Sequence, residues 1–208
     1  MGQGTRVIKT SCAAKETVVK DTLMDIQGKK VAILATNGFE QSELESPRDR
    51  LKEHGAIVHV VSPQAGEIRG WERKDWGRPV KVDVTLDEAR VQDYDAIVLP
   101  GGQINPDLLR INDKALRFIR AFFDQGKVVA AVCHAPWLLI ETNILKGRQA
   151  TSYKSIKTDM INAGAKWQDV EVVADQGIVT SRNPGDLEAF SKKIMEEIAE
   201  GRHERRAA

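Results

Sequence analysis

The sequence predicts an α/β fold, a three-layer sandwich with a mostly parallel sheet and helices on both faces. Two observations carry that prediction. Short apolar runs without alternation, Val31–Leu34, Ala56–Val61, Ala96–Leu99, Val128–Val132 and Ile178–Ser181, read as strands buried on both faces. Between them lie segments with helical periodicity, and strands alternating with helices form βαβ units with right-handed crossovers.

In chain order, residues 1–28 are polar, weakly patterned and end at Gly28; they read as an N-terminal extension with room for a short helix over Thr17–Ile26. From Lys29 the run Lys-Lys-Val-Ala-Ile-Leu-Ala-Thr is the first strand, bounded by Asn37-Gly38. Ser46-Pro47 starts a helix, since proline early in a helix loses no bond, and Arg48–His54 ends at Gly55 as a C-cap. Ala56–Val61 is the second strand, and the charged, Gly- and Trp-rich stretch from Gly66 to Val82 is a hairpin or excursion. Ala96–Leu99 is a strand closed by Pro100-Gly101-Gly102. Leu108–Gln125 reads as one amphipathic helix with Leu109, Ala115, Ile119 and Phe122 or Phe123 on its apolar face. Lys127–Val132 runs straight into Cys133-His134, a helix follows through Ile140, Ile178–Ser181 is a late strand and Asp186–Ala199 a closing helix. With 208 residues and no internal repeat or low-complexity linker, one domain over 29–200 is expected, with a tail at 201–208.

Composition narrows the function. Thirty-one basic against 30 acidic residues leave a net charge of +1, with no electrostatic footprint for nucleic acid and no basic run suited to an anionic membrane. Two cysteines, Cys12 and Cys133, set far apart, support neither a disulfide framework nor a structural zinc site, so reduced thiols in the cytoplasm are the expectation. The N-terminus has no apolar signal region, nothing approaches the length of a spanning helix, and Arg6 spoils a myristoylation start.

Candidate chemistry gathers at strand ends. Cys133 is the first residue beyond a buried strand, where a sharp strand-to-helix turn exposes a nucleophile near free backbone N–H groups. Those dipoles favour the thiolate and could bind an oxyanion. A structural buried cysteine is the competing reading of a lone thiol. Gly102 closes the neighbouring strand, and its N–H is a second candidate donor. Glu40 and Glu43, three apart, share one face of a helical turn; Glu43 could reach towards Cys133 and hydrogen-bond the thiolate if burial keeps the acid protonated. His54 and His59 sit at a helix end and on a strand, Trp71 and Trp76 suit packing or a subunit contact, and Arg182 suits a salt bridge as well as an anion.

Together these elements resemble the PfpI-type proteins, intracellular cysteine-hydrolase relatives of the parkinsonism-associated deglycase in the class I glutamine amidotransferase-like superfamily. The resemblance rests on Phe39-Glu40 with Glu43-Leu44, Leu99-Pro100-Gly101-Gly102, Val132-Cys133-His134-Ala135-Pro136, Thr151-Ser152-Tyr153, the run Asp159–Ala165 and Thr180-Ser181-Arg182, in order over about residues 29–200. It implies a flavodoxin-like sheet. It implies further that Cys133 is the nucleophile, His134 its adjacent histidine, Glu43 the buried acid, and Gly102 with the His134 N–H the oxyanion donors. Tyr153 and Glu40 fall at the pocket. Asp107 stands, one residue late, where the family often has a glutamate given by the neighbouring subunit. Ala135 replaces a more frequent glycine, and Trp137 adds bulk beside the pocket.

The implied activity is of the glyoxalase III or deglycase type on reactive aldehydes or their early adducts, with no metal and no organic cofactor. The alternatives are an intracellular cysteine peptidase, which needs His134 oriented by a third group, and a non-catalytic redox sensor using Cys133. The implied partners are a small aldehyde or peptide-like substrate and further copies of the chain, a dimer or larger.

Overall fold

The protein is described by a computed structural model covering residues 26–204. Cys12 and all but the last residue of the helix read over Thr17–Ile26 lie outside those residues. The elements run β1 (Lys30–Leu34), α1 (Gln41–Glu53), β2 (Ile57–Ser62), β3 (Glu67–Glu72), β4 (Asp75–Lys81), β5 (Val84–Thr85) and β6 (Ala96–Leu99). They continue with α2 (Ile104–Leu109), α3 (Asp113–Asp124), β7 (Val128–Val132), α4 (Pro136–Glu141), β8 (Gln149–Ala150) and α5 (Lys157–Asn162). The chain closes with β9 (Lys166–Trp167), β10 (Val172–Asp175), β11 (Ile178–Ser181) and α6 (Leu187–Glu200).

Seven strands form the main sheet in the order β10-β11-β7-β6-β1-β2-β5, parallel except for the β10–β11 pair. The inner five give the flavodoxin-like order. Alternate strand residues serve opposite faces. Leu34, Leu99 and Ala131 pack with Phe122 of α3 and Leu138 of α4, whereas Ile33, Val98 and Val132 pack with Leu51 of α1 and Ile194 of α6. Both faces are therefore dry, and that is why the strands read as continuous apolar runs.

The chain leaves β1 towards β2 on one side and later crosses to β6 on the other. A crevice opens between β1 and β6 at the carboxyl ends of the strands, which is where an open α/β sheet places its ligands. Three loops meet there: the one after β1, the one after β6 and the turn after β7.

Two helix boundaries differ from the sequence expectation. The first helix starts at Gln41, not at Ser46-Pro47, and Pro47 sits inside it. Proline there forfeits the bond to the Glu43 carbonyl, a loss tolerated because Leu44, Pro47 and Leu51 are buried together on one side. The single helix expected over Leu108–Gln125 is two, divided at Arg110-Ile111-Asn112. Asn112 adopts an extended backbone, and its side chain caps α3 by accepting from Lys114 N at 3.0 Å and Ala115 N at 3.1 Å. The short strands β5, β8 and β9 and the antiparallel edge β10 add elements the sequence pattern did not separate.

Asn112→Ala removes both cap bonds and is expected to lower stability by about 1 kcal/mol, read from the urea midpoint at constant m-value.

Candidate active site

Fully buried β7 delivers the chain to Cys133, whose N–H extends the ladder by donating to Ser181 O at 3.0 Å. There the backbone reverses: Cys133 holds φ +63°, a left-handed conformation costly for a residue with a Cβ, and Ala135 N donates back to Val132 O. Pro136 opens α4 one residue later. The turn is held from outside by Tyr153 N, which donates to the Cys133 carbonyl at 2.9 Å. Such a strained strand-to-helix elbow presents its side chain at the sheet rim.

The loop after β6 lies against this elbow and requires glycine. A Cβ on Gly101 would stand 2.7 Å from Cys133 Cβ, Glu43 Oε2 and Val132 O alike. Gly102, at φ +76°, would bring a Cβ to 2.6 Å from Gly38 O in the loop after β1. Asn105, fully buried, ties these loops together: its Nδ2 donates to Pro100 O at 2.7 Å, and its Oδ1 accepts from Thr36 N at 2.8 Å.

Glu43 projects from the first turn of α1 into the same space and is fully buried. Its Oε2 accepts from Gly101 N at 2.8 Å, and its carboxyl also hydrogen-bonds the Cys133 side chain. Burial pushes its pKa up to about 8, against the pull of the bonds from Cys133, Gly101 and Gly102; the Glu40 charge adds to the rise. The Cys133 thiol is pushed up as well, first by burial and then by the Glu43 charge and hydrogen bond, while the N–H groups of Gly102 and His134 pull it down. The sequence expectation of a thiolate favoured by helix dipoles is thus reversed: the dipoles act as expected, but burial beside an acid outweighs them. Two acids pressed together titrate as a pair, and either partner can hold their common proton.

His134 faces the same sulfur, with Nδ1 3.1 Å from Cys133 Sγ. Burial lowers its pKa, which favours the neutral imidazole. Its ring stacks on Tyr153 at 4.7 Å and meets Trp137 edge-on at 5.3 Å. Its Nε2 is 3.1 Å from Ser155 Oγ, a residue the sequence reading did not select.

Above the thiol is a cavity of about 510 Å³, lined by Cys133, His134, Glu43 and Gly102, with Glu40, Trp71, Arg73, Ile104, Tyr153 and Pro184 among its walls. Asp107, expected to reach the site of a neighbouring copy, is exposed on α2 and outside this chain's own lining, and within the chain Ser155 meets His134 Nε2. Trp137 backs the His134 ring instead of lining the cavity; its Nε1 donates to Asp159 at 2.8 Å and Arg110 lies over its ring.

Arg182 is held by Asp186 and Asp169, His54 bonds Arg50 O, His59 meets Tyr94 Oη, and Trp71 and Trp76 pack edge to face. Among the described residues, the one group of possible metal ligands within reach of one another is Glu197, Glu200 and His203, and none of them lines the Cys133 cavity. No helix among the described residues is long and apolar enough to cross a membrane.

Comparison with known proteins adds to this geometry. The DJ-1/PfpI family model matches residues 29–197. "Deglycase PfpI" of Pyrococcus furiosus is 46% identical over 166 residues, which cover 80% of this chain and 97% of that protein. "General stress protein 18" of Bacillus subtilis is 42% identical over 170 residues, 81% of this chain and 96% of its own. Among solved structures, a two-domain protein of Anabaena variabilis with a DJ-1/ThiJ/PfpI-like and a ferritin-like domain superposes with a TM-score of 0.77 at 40% identity. That match covers 82% of this chain and 48% of the two-domain one.

The raised Glu43 pKa has a sign in stability. The folded state holds this proton from the ordinary 4.5 up to about 8, whereas the unfolded chain releases it at 4.5. Folded protein therefore binds more protons across that window, and stability falls as pH rises through it. Urea midpoints at pH 5 and pH 8 should show a loss on the order of a few kcal/mol that Glu43→Gln removes; equal pH slopes would mean that Glu43 is already ionised at pH 5.

Proposed function

Because the chain belongs to the DJ-1/PfpI family, we propose that it is a stress-protective cysteine enzyme of the glyoxalase III or deglycase type, acting in the cytoplasm on small α-oxo aldehydes or their early adducts. Residues 29–200 form the catalytic unit in this reading. The observation that carries it is the fully buried Glu43 carboxyl, able to hold a proton near neutral pH, against a thiol set beneath two backbone N–H groups.

The chemistry follows from those groups. Cys133 gives up its proton as its sulfur adds to the aldehyde carbon of methylglyoxal, and a hemithioacetal forms. With an adduct, the sulfur takes the place of the amine or thiol carrier, which leaves with a proton. The N–H groups of Gly102 and His134 hold the developing oxyanion. Glu43 or His134 then moves a proton from the former aldehyde carbon to the neighbouring carbonyl carbon through an enediol. The first carbon is oxidised to a thioester as the second is reduced to an alcohol, and water releases the hydroxy acid and regenerates the thiol. One water is consumed and the electrons stay within the substrate, so the proposed route calls for neither a metal nor an organic cofactor.

One contact favours a second reading, a cysteine peptidase: the 3.1 Å approach of His134 Nδ1 to Cys133 Sγ. It ranks lower because a buried, neutral imidazole is a poor counter-ion for a thiolate. Cys133→Ala should abolish methylglyoxal turnover, while His134→Ala should retain activity within about ten-fold of wild type. A loss of about 1000-fold or more in His134→Ala would favour the triad. Selective peroxide oxidation of Cys133 with no turnover of aldehyde or peptide would favour the redox-sensor reading.

The chain also acts as a homo-oligomer in this proposal. Ile104, Leu108 and Ile111 expose an apolar stripe on and just beyond α2, with Ile111 81% exposed, and Asp107 stands beside it. A second copy seated there would bring its Asp107 towards the site. Ile111→Glu is expected to shift the molar mass measured by light scattering towards the monomer and to reduce kcat; an unchanged mass would place the subunit contact elsewhere.

A further inference from the structure

We infer that Arg73 is a specificity residue that takes a carboxylate on the carrier of the adduct, so that the site prefers anionic adducts of α-oxo aldehydes over neutral ones; this rests on the aldehyde reading above.

Glu72 of β3 pairs with Asp75 of β4, so Arg73 and Lys74 are the two-residue turn of that hairpin. Arg73 holds φ +60°, where two-residue hairpins favour glycine, asparagine or aspartate. That conformation is costly for a residue with a Cβ.

Arg73 lines the cavity that holds Cys133 and His134. Its guanidinium has no hydrogen bond or ion pair among the described residues. Its hairpin neighbours differ: Arg69 donates to Gly77 O, and Arg78 pairs with Glu45 and Glu72. Glu40, the acid in the same cavity wall, accepts from Ser42 Oγ, and burial raises its pKa, which weakens its opposition to an anion.

The tip is also fixed in place. Trp71 Nε1 donates to Arg73 O at 3.3 Å, Trp71 N to Phe39 O at 2.6 Å, and Gly38 N to Arg69 O at 2.8 Å. Behind the hairpin the fully buried Gln41 amide sits so close to Gly70 and Gly77 that a Cβ on either would lie within 2.4 Å of its oxygen. The cation is therefore mounted on a strand pair stitched to the loop that carries Glu40, not on a free loop. A guanidinium so placed matches the two oxygens of a carboxylate.

The test uses two hemithioacetals of methylglyoxal that differ in one group, those of N-acetylcysteine and of N-acetylcysteine amide, with the full-length protein. Wild type should show a kcat/KM ratio of about ten in favour of the carboxylate, falling as salt is raised. Arg73→Gln should bring that ratio near one, through KM for the anionic adduct, and Arg73→Lys should keep part of it. Arg73→Gly should lose the ratio while melting no lower than wild type, which separates the charge from the fold. A ratio unaltered in Arg73→Gln overturns the inference alone, whereas a wild type that turns over neither adduct overturns the aldehyde reading and this inference with it.

Discussion

A carboxyl and a thiol buried against each other cannot both carry charge, and the surroundings of Cys133 are arranged around that limit. Glu43 is fully enclosed, Cys133 nearly so, and both are pushed towards their neutral forms. What compensation exists comes from fixed backbone donors, Gly101 N on the carboxylate and the N–H groups of Gly102 and His134 on the sulfur. Among the described residues, no side-chain cation compensates either group. Once the pair has lost one of its two protons, the position of the other decides whether the sulfur is a thiol or a nucleophile.

Holding such a pair requires close backbone approach, and the fold supplies it at the switch point of the sheet. Parallel β1, β6 and β7 end side by side, so a helix turn, a glycine loop and an elbow reach one spot from three directions. Each is determined by its neighbours. Gly101 has no room for a side chain because Cys133 and Glu43 fill it, and Asn105 locks the β6 loop to the β1 loop through two short bonds. The strained φ of Cys133 persists because the ladder bond to Ser181 and the Tyr153 bond hold both sides of the peptide.

This explains what could be read in the sequence. The sheet was legible because strands covered on both faces are apolar throughout, and Cys133 and Gly102 were legible because they directly follow two of those strands. Pro47 misled the reading of α1, since proline usually marks a helix start, whereas here packing of Leu44 and Leu51 carries a helix through it. Asn112 carried a recognisable cap signal that the continuous apolar face of α3 masked. Ser155 and Asn105 act through contacts distant in sequence, to His134 and to Thr36, and nothing in their local setting announces them. The direction of the thiol shift was missed for a related reason: the dipoles of an elbow can be inferred from a strand-to-helix pattern, but the extent of burial depends on loops that converge from all over the chain.

That direction also bears on reactivity. A thiol held in its protonated form offers little thiolate to passing oxidants or weak electrophiles, since the thiolate is the reactive species. When the pair carries a single proton and Glu43 holds it, however, the sulfur is a stronger nucleophile than that of a low-pKa cysteine, because intrinsic nucleophilicity rises with basicity. The neutral His134 fits the same scheme: beside the sulfur at 3.1 Å it can pass a proton without fixing a permanent ion pair. In the proposed reading, such a site keeps its thiol in reserve until an electrophile reaches the N–H groups of Gly102 and His134, and the cavity walls decide which electrophile arrives.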